Sequence, residues 1–227
     1  MSAYKAKKMI KPLSKGYFIT FEGGEGGGKS TQAKLLTDAL TKHNFVVTQT
    51  REPGGSPGAE EIRDLLLFGK HTLSLKAEIL AHFSARMDHV DQLIYPALNR
   101  GEIVICDRFI DSTLAYQGYG LARGDKKILK FIHALSNLID VKPQLTFLLK
   151  TSLPMMQNRC QQRNQRLDRY ERLPKDFHHD VLEGFQIISK HNAYRYICID
   201  ASESIEAIHQ KILSITFQKL ATLPHET

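Results

Sequence analysis

The chain has 227 residues, with 31 Lys and Arg against 24 Asp and Glu, a formal net charge of +7 and 42 % hydrophobic residues. That length and apolar share suit one α/β domain over residues 1–227 with a buried core and a small mobile insert, and no apolar run of about 18 residues is present to span a membrane. The charge fits either nucleic acid or a small polyanionic substrate, so the position of the basic residues has to decide between them. Met1 to Lys15 carry five lysines and no apolar stretch, which predicts a basic extension and not a secretory signal. Tyr17 to Phe21 is a short aromatic and β-branched run ending in a glycine cluster, the mark of a first strand. From Lys29 to about His43, Leu35, Leu36, Ala39 and Leu40 recur at helical spacing. Phe45 to Thr48 reads as a second strand stopped by Pro53-Gly54-Gly55, and Pro57 to about Phe68 as a helix with proline in its first turn. A longer helix is predicted from about Leu75 to Asn99, with Ile79, Phe83, Val90, Ile94 and Ala97 along one side.

Ile103 to Cys106 is too apolar to alternate, as expected of a central parallel strand covered on both faces. Leu145 to Leu149 and Tyr196 to Ile199 are two more such runs, each followed by a helical segment. Strand and helix therefore alternate to the end without repeats, which predicts a doubly wound parallel sheet of five strands flanked by helices. Cys106, Cys160 and Cys198 are widely spaced and show no metal pattern. Cys106 and Cys198 end apolar runs, where a reduced thiol is expected to act as a small core residue, and a reducing cytoplasm fits.

Gly23-Gly24-Glu25-Gly26-Gly27-Gly28-Lys29-Ser30 matches G-x-x-x-x-G-K-[ST] between a strand and a helix. Glycines let the backbone turn its N–H groups inward, and the helix N-terminus adds a positive dipole, so this loop cradles the phosphates of a nucleoside triphosphate. Lys29 is placed for the β- and γ-phosphates and Ser30 for Mg²⁺. Thr31 follows within reach. The loop itself holds no arginine to meet a transferring γ-phosphoryl group. The basic segment from Arg159 to Arg172, with Arg163, Arg166 and Arg169, can supply one as a flap over the phosphates.

Asp107-Arg108 directly follows the buried third strand. An aspartate at the carboxyl end of a parallel strand faces the ligand crevice, where it can hold Mg²⁺ or its waters. An arginine beside it suits an acceptor that is itself an anion and needs clamping. Arg51 ends the second strand, so three strands deliver charged or glycine-rich ends to one crevice.

Five segments then resemble the thymidylate kinase family, in its order and roughly its spacing, over about residues 16–215. They are Phe21-Glu22-Gly23 with the loop, Arg51-Glu52-Pro53-Gly54-Gly55, Asp107-Arg108-Phe109, Asp111-Ser112-Thr113 with Ala115-Tyr116-Gln117-Gly118, and Leu167-Asp168-Arg169. The resemblance implies transfer of the γ-phosphoryl of ATP to dTMP with Mg²⁺, giving dTDP and ADP for dTTP synthesis, by a cytoplasmic homodimer. It implies Glu25 at the deoxyribose 3′-OH, Arg51 and Arg108 at the dTMP phosphate, Arg86 at the thymine carbonyl and Thr113 at the pyrimidine edge. Ser112 and Gln117 belong to the same acceptor segment, and Tyr116 stands where a ribose 2′-OH would have to fit. A basic lid that replaces a loop arginine is similar to the bacterial subtype. The position four residues before Arg86, where the family often has a stacking phenylalanine, holds His82 with Phe83 next to it. Adjacent helix residues point about 100° apart, so the two cannot occupy one place.

Other classes share parts of this pattern. A different nucleotide kinase has the same loop and Asp-Arg logic, and the region of Arg86, Thr113 and Tyr116 argues against it. A GTPase should carry Asn-Lys-x-Asp after the third strand, and none is found there. A nucleic-acid-binding protein should show an extended basic stripe with stacking aromatics, whereas these arginines gather at strand ends and in one flap.

Overall fold

The computed structural model describes residue 13 and residues 15–162 and 168–223. Five strands form one sheet, β1 (Tyr17–Glu22), β2 (Val47–Arg51), β3 (Ile103–Asp107), β4 (Leu145–Lys150) and β5 (Tyr196–Asp200). Their order is β2-β3-β1-β4-β5 and every pairing is parallel, which is the doubly wound arrangement expected from the alternation. β1 lies at the centre, and all six of its residues are buried.

Side chains alternate across a strand, so β1 feeds two cores. Phe18 joins Val104, Cys106 and Leu148 on one face, under the helices α3 (Leu75–His89) and α8 (Lys175–His191). Ile19 and Phe21 join Ile105 and Phe147 on the other, under α1 (Lys29–Lys42) and α9 (Ile205–Ala221). Two covered faces leave only the strand ends for ligands, and the carboxyl ends of β1, β2 and β3 lie side by side: Phe21 is in register with Asp107, and Asp107 with Arg51.

Three differences from the sequence reading have physical causes. β2 runs two to three residues later than expected, through Thr48, Gln49 and Thr50, because an edge strand that is half-exposed has no need of an apolar run. The single helix expected over 75–99 is divided into α3, a π-helical turn (Val90–Ile94) and α4 (Tyr95–Asn99). Pro96 lies just beyond that turn; proline removes a donor and crowds the carbonyl four residues back, and a widened turn relieves both. Its five apolar markers are buried as anticipated. Finally, Cys106 is a core residue but Cys198 is exposed, because β5 is the other sheet edge and that side of it is uncovered.

After β3 the chain forms the short helix α5 (Ile110–Thr113), a π-helical segment (Leu114–Leu121) and α6 (Lys126–Ser136). The π segment packs tightly along α8. Gly120 permits that approach, since a Cβ there would lie 2.6 Å from the Phe177 ring and 2.8 Å from Val181. Gly120→Ala is therefore expected to lower stability by about 1–3 kcal/mol, read as a shifted urea midpoint with an unchanged slope; an unaltered midpoint would contradict this packing.

Candidate active site

The loop from Gly23 to Gly28 joins β1 to α1 and packs against α7 (Leu153–Gln162), while α2 (Pro57–Phe68) lines the cavity beside it through Arg63, Leu67 and Phe68. Gly23 has φ 135°, and a Cβ on it would stand 2.5 Å from the Leu149 carbonyl, so the first turn of the loop requires glycine. Lys29 is buried and its Nζ donates to the Gly24 carbonyl at 2.7 Å. Burial, followed by repulsion from Arg108, lowers its pKa to about 8. The Ser30 hydroxyl donates to Asp107 Oδ2, while Asp107 Oδ1 is buried and has no hydrogen-bond partner among the described residues. A hydroxyl and an unpaired carboxylate oxygen side by side fit the oxygen-only preference of Mg²⁺.

Arg108 follows Asp107 with φ 70°, a left-handed conformation that costs a non-glycine residue about 1–2 kcal/mol. Its N–H still bonds the Phe21 carbonyl at 2.9 Å, so the strain turns the side chain without releasing the strand. The guanidinium donates to Gly23 O (3.0 Å), Ser112 Oγ (3.1 Å), Tyr116 Oη (3.0 Å) and Glu25 Oε1 (2.5 Å). Burial disfavours its charge, but the Glu25 carboxylate and the other acids around it more than offset this, and its pKa is raised. Tyr116 in turn donates to Glu25 at 2.9 Å. Behind this cluster, Glu22 is fully buried and accepts from the Phe109 N–H (2.8 Å) and from Ser112 Oγ (2.6 Å). Desolvation, with the nearby Asp111 carboxylate, raises the Glu22 pKa.

At the far end stands Arg86. Its Nε donates to Glu52 at 2.7 Å, and its Nη2 to Phe109 O and Thr113 Oγ1 at 3.2 and 3.1 Å. The Phe83 ring lies 5.0 Å beneath its guanidinium carbon. Glu52 is held from its other oxygen by His89, 3.2 Å away and itself bonded to Thr50. Arg86 Nη1 is buried without a partner among the described residues, a cationic N–H waiting for an acceptor.

Lys29, Glu25, Asp107, Arg108, Glu52 and Arg86 line one cavity of about 310 Å³. Of the acceptor residues expected from sequence, Glu25, Arg51, His82, Arg86, Arg108, Ser112, Thr113, Tyr116 and Gln117 all line it, with Lys29, Ser30 and Asp107 from the phosphate side. Phe83 does not line it: it is packed in the core as a floor for Arg86, and His82 faces the cavity in its place. Arg51 is half-exposed and pairs with Glu60 at 2.9 Å. Arg169 is turned to Glu78 at 2.7 Å, and Arg159 bonds the loop carbonyl of Gly26 at 3.2 Å. Arg163 and Arg166 lie outside the described residues.

Sequence reasoning missed Glu78, buried behind the cavity, and Tyr170, which lines it, and gave no role to Glu52 or Asp168, which line it too. A signal for the first existed. Glu78, His82, Arg86 and His89 recur every three to four residues, a polar stripe along a helix flanked by the apolar Ile79 and Phe83. Such a stripe inside a protein must serve a polar site.

A glycine-rich phosphate loop at a strand-to-helix turn, a strand-end Asp-Arg pair and one cavity joining them to a closed polar pocket define a P-loop nucleotide kinase. The thymidylate kinase family model matches residues 21–212. Thymidylate kinase from Gluconobacter oxydans is 51 % identical over 206 residues, covering 91 % of this chain and 96 % of that one. That from an Exiguobacterium species is 40 % identical over 90 % of this chain and 96 % of its own. The crystal structure of thymidylate kinase from Ehrlichia chaffeensis superimposes with a TM-score of 0.71 at 35 % identity, over 89 % of this chain and 99 % of that one. The chain belongs to the thymidylate kinase family.

The lowered pKa of Lys29 gives a pH signature. Its ammonium is intact well below pH 8 and is lost as the pH rises through about 8 when no nucleotide is bound. ATP favours the charged form, so above pH 8 binding should take up a proton and weaken as pH rises. Titration calorimetry in buffers of different ionisation enthalpy reads that uptake, and Lys29→Arg, whose charge persists, should abolish it. Uptake that persists in Lys29→Arg would assign the proton elsewhere.

Proposed function

We propose that the chain transfers the γ-phosphoryl group of ATP to dTMP, giving ADP and dTDP for dTTP synthesis. The observation that carries this reading is that Lys29, Arg108 and Arg86, whose Nη1 has no partner among the described residues, line one cavity. Three cationic groups in a row suit a triphosphate end, an acceptor phosphate and a base carbonyl. The loop residues Gly23 to Thr31 hold the ATP phosphates through backbone N–H groups and Lys29. Arg51 and Arg108 take the acceptor phosphate, and Glu25 the sugar 3′-OH. Tyr116, pinned to Glu25 and Arg108, closes the space a ribose 2′-OH would need. Arg86 donates to the base carbonyl, with Thr113 and Gln117 along the pyrimidine edge and His82 as the flat ring beside it.

The acceptor phosphate monoester is already ionised at neutral pH, its second pKa being about 6, so no general base is needed. One of its oxygens bonds to the γ-phosphorus as the bond from that phosphorus to the β-phosphate oxygen breaks, and ADP leaves with the electron pair. The chain's task is alignment and charge neutralisation in a loose transition state. Arg108 sits at the junction, bonded to the loop through Gly23 and to the acceptor segment through Ser112. When bound, Mg²⁺ supplies further neutralisation of the β- and γ-phosphates; Ser30 and Asp107 are the residues that would hold it, directly or through water. The basic segment with Arg163, Arg166 and Arg169 supplies the cation for the γ-phosphate, and Arg169 would have to exchange its pairing with Glu78 to do so.

The exposed apolar residues Leu65, Leu80 and Met87 on the paired helices α2 and α3 support a homodimer, which sedimentation would detect. Three unpaired cysteines are consistent with a cytoplasmic setting. No described helix is long and apolar enough to cross a membrane, and ATP and dTMP, without nucleic acid, account for the clustered basic residues.

An ATP-coupled assay across nucleoside monophosphates should give the highest kcat/KM with dTMP, with dUMP lower by roughly 10–200-fold for one methyl group. Equal rates with AMP or CMP and none with dTMP would refute the reading. Arg108→Ala should lower kcat/KM for dTMP about 10²–10³-fold in a protein that still folds, as circular dichroism would show. Near-normal turnover would remove Arg108 from the reaction.

A further inference from the structure

At the base end of the cavity His82, Gln117 and Tyr170 line the wall, and behind them Glu78 joins them into one hydrogen-bonded set. Glu78 on α3 is 1 % exposed, and its Oε1 accepts from the Tyr170 hydroxyl at 2.7 Å and from the Gln117 side-chain amide at 2.9 Å. Its Oε2 accepts from Arg169 at 2.7 Å. The Gln117 amide nitrogen is also 3.1 Å from the Tyr170 oxygen, and His82 Nε2 lies 3.0 Å from it.

Donor and acceptor roles in this set follow from chemistry. A carboxylate paired with an arginine can only accept. The single hydroxyl proton of Tyr170 is therefore directed at Glu78, and the ring nitrogen of His82 facing Tyr170 must carry a proton and donate. The Gln117 amide must present its NH₂ end to Glu78. Its carbonyl oxygen is then the end left for the cavity that Gln117 lines. Every donor in the chain of contacts points towards Glu78, so the carboxylate gives the whole set one polarity.

We propose that Glu78 is a positioning residue for base selection, which fixes the Gln117 amide with its nitrogen inward and leaves only its oxygen to the ligand. Four residues along the same segment, Thr113 holds Arg86, whose free Nη1–H is a donor. The pocket wall thus offers a donor and an acceptor from neighbouring side chains. A base with a carbonyl beside a ring N–H, as in thymine and uracil, complements that pair. Cytosine presents the reverse, an amino group beside a bare ring nitrogen, and leaves both wall groups unpaired. Glu78 reaches neither ligand nor phosphate and acts through Gln117. This inference rests on the pyrimidine reading of the site given above.

The test is Glu78→Gln, which keeps shape but can donate as well as accept, and so lets the Gln117 amide turn over. The ratio of kcat/KM for dTMP over dCMP is expected to fall at least tenfold, with kcat/KM for dCMP rising above the wild-type value. The ratio for dTMP over dUMP, which share the same hydrogen-bonding edge, should stay within about threefold. General damage to the pocket would lower dCMP turnover along with the rest, so a dCMP value that does not rise overturns the proposal. A measurement on the wild-type protein stands independently of how that variant folds. Nitrogen-15 spectra of His82 should show the proton on Nε2, and a proton confined to Nδ1 would contradict the polarity assigned to Glu78. Wild-type enzyme that ignores dTMP altogether would instead overturn the substrate reading on which the inference rests.

Discussion

Glu22 is the joint on which this site depends. It ends the central strand that leads into the phosphate loop, and it accepts from the Phe109 N–H and the Ser112 hydroxyl of the acceptor segment. One buried carboxylate thereby ties the strand leading into the phosphate loop to the turn after β3. The cost is visible in its raised pKa, which desolvation and the neighbouring Asp111 impose. Asp111 is itself anchored by both terminal nitrogens of Arg195, at 2.8 and 3.0 Å, and by the Tyr196 hydroxyl, so the tie extends to the far side of the sheet. A buried acid with its hydrogen bonds satisfied rigidifies, whereas one left unpaired would destabilise. Between these anchors Arg108 is forced into its left-handed turn, and its side chain has only the cavity to enter.

Charge in the cavity is balanced before any ligand is considered. Arg108 is neutralised by Glu25, Arg86 by Glu52 and Arg169 by Glu78. The three pairs differ in burial: Arg86 and Glu52 are almost fully enclosed, while Arg108 and Glu25 keep 14 % and 16 % exposure. An enclosed pair fixes geometry. A partly open pair can exchange partners at lower cost, because water and an incoming anion both reach it. On the proposed reading, the adaptable Arg108 lies where the phosphate would arrive and the enclosed Arg86 where the base would be read.

Much of this was legible in the chain. β3 and β4 are apolar runs because they are covered on both faces, and the phosphate loop announces itself by glycine spacing. The end of β2 was less legible, because a half-exposed edge strand made of Thr, Gln and Thr carries no hydrophobic signature. The π-helical segment around Tyr116 and Gln117 was not foreseen, since its widened turns follow from tertiary packing against α8 and not from local preference. Phe83 against His82 shows the same limit. Both are ring residues at adjacent positions, and only the packing of the helix decides that the phenylalanine becomes the floor of Arg86 while the imidazole faces the cavity, where burial lowers its pKa to about 3 and keeps it neutral. The Glu78 stripe was visible as polar periodicity, but its partner Tyr170 lies 92 residues away. No local pattern could join them.

The central claim is that the two nucleotides face each other across Arg108, so that the phosphoryl group passes directly from one to the other. The stereochemical course at phosphorus tests this most directly. With ATP made chiral at the γ-phosphorus by oxygen isotopes, the dTDP formed should show inversion of configuration, as a single in-line displacement requires. Retention would mean two displacements through a phosphorylated side chain, and would contradict the account.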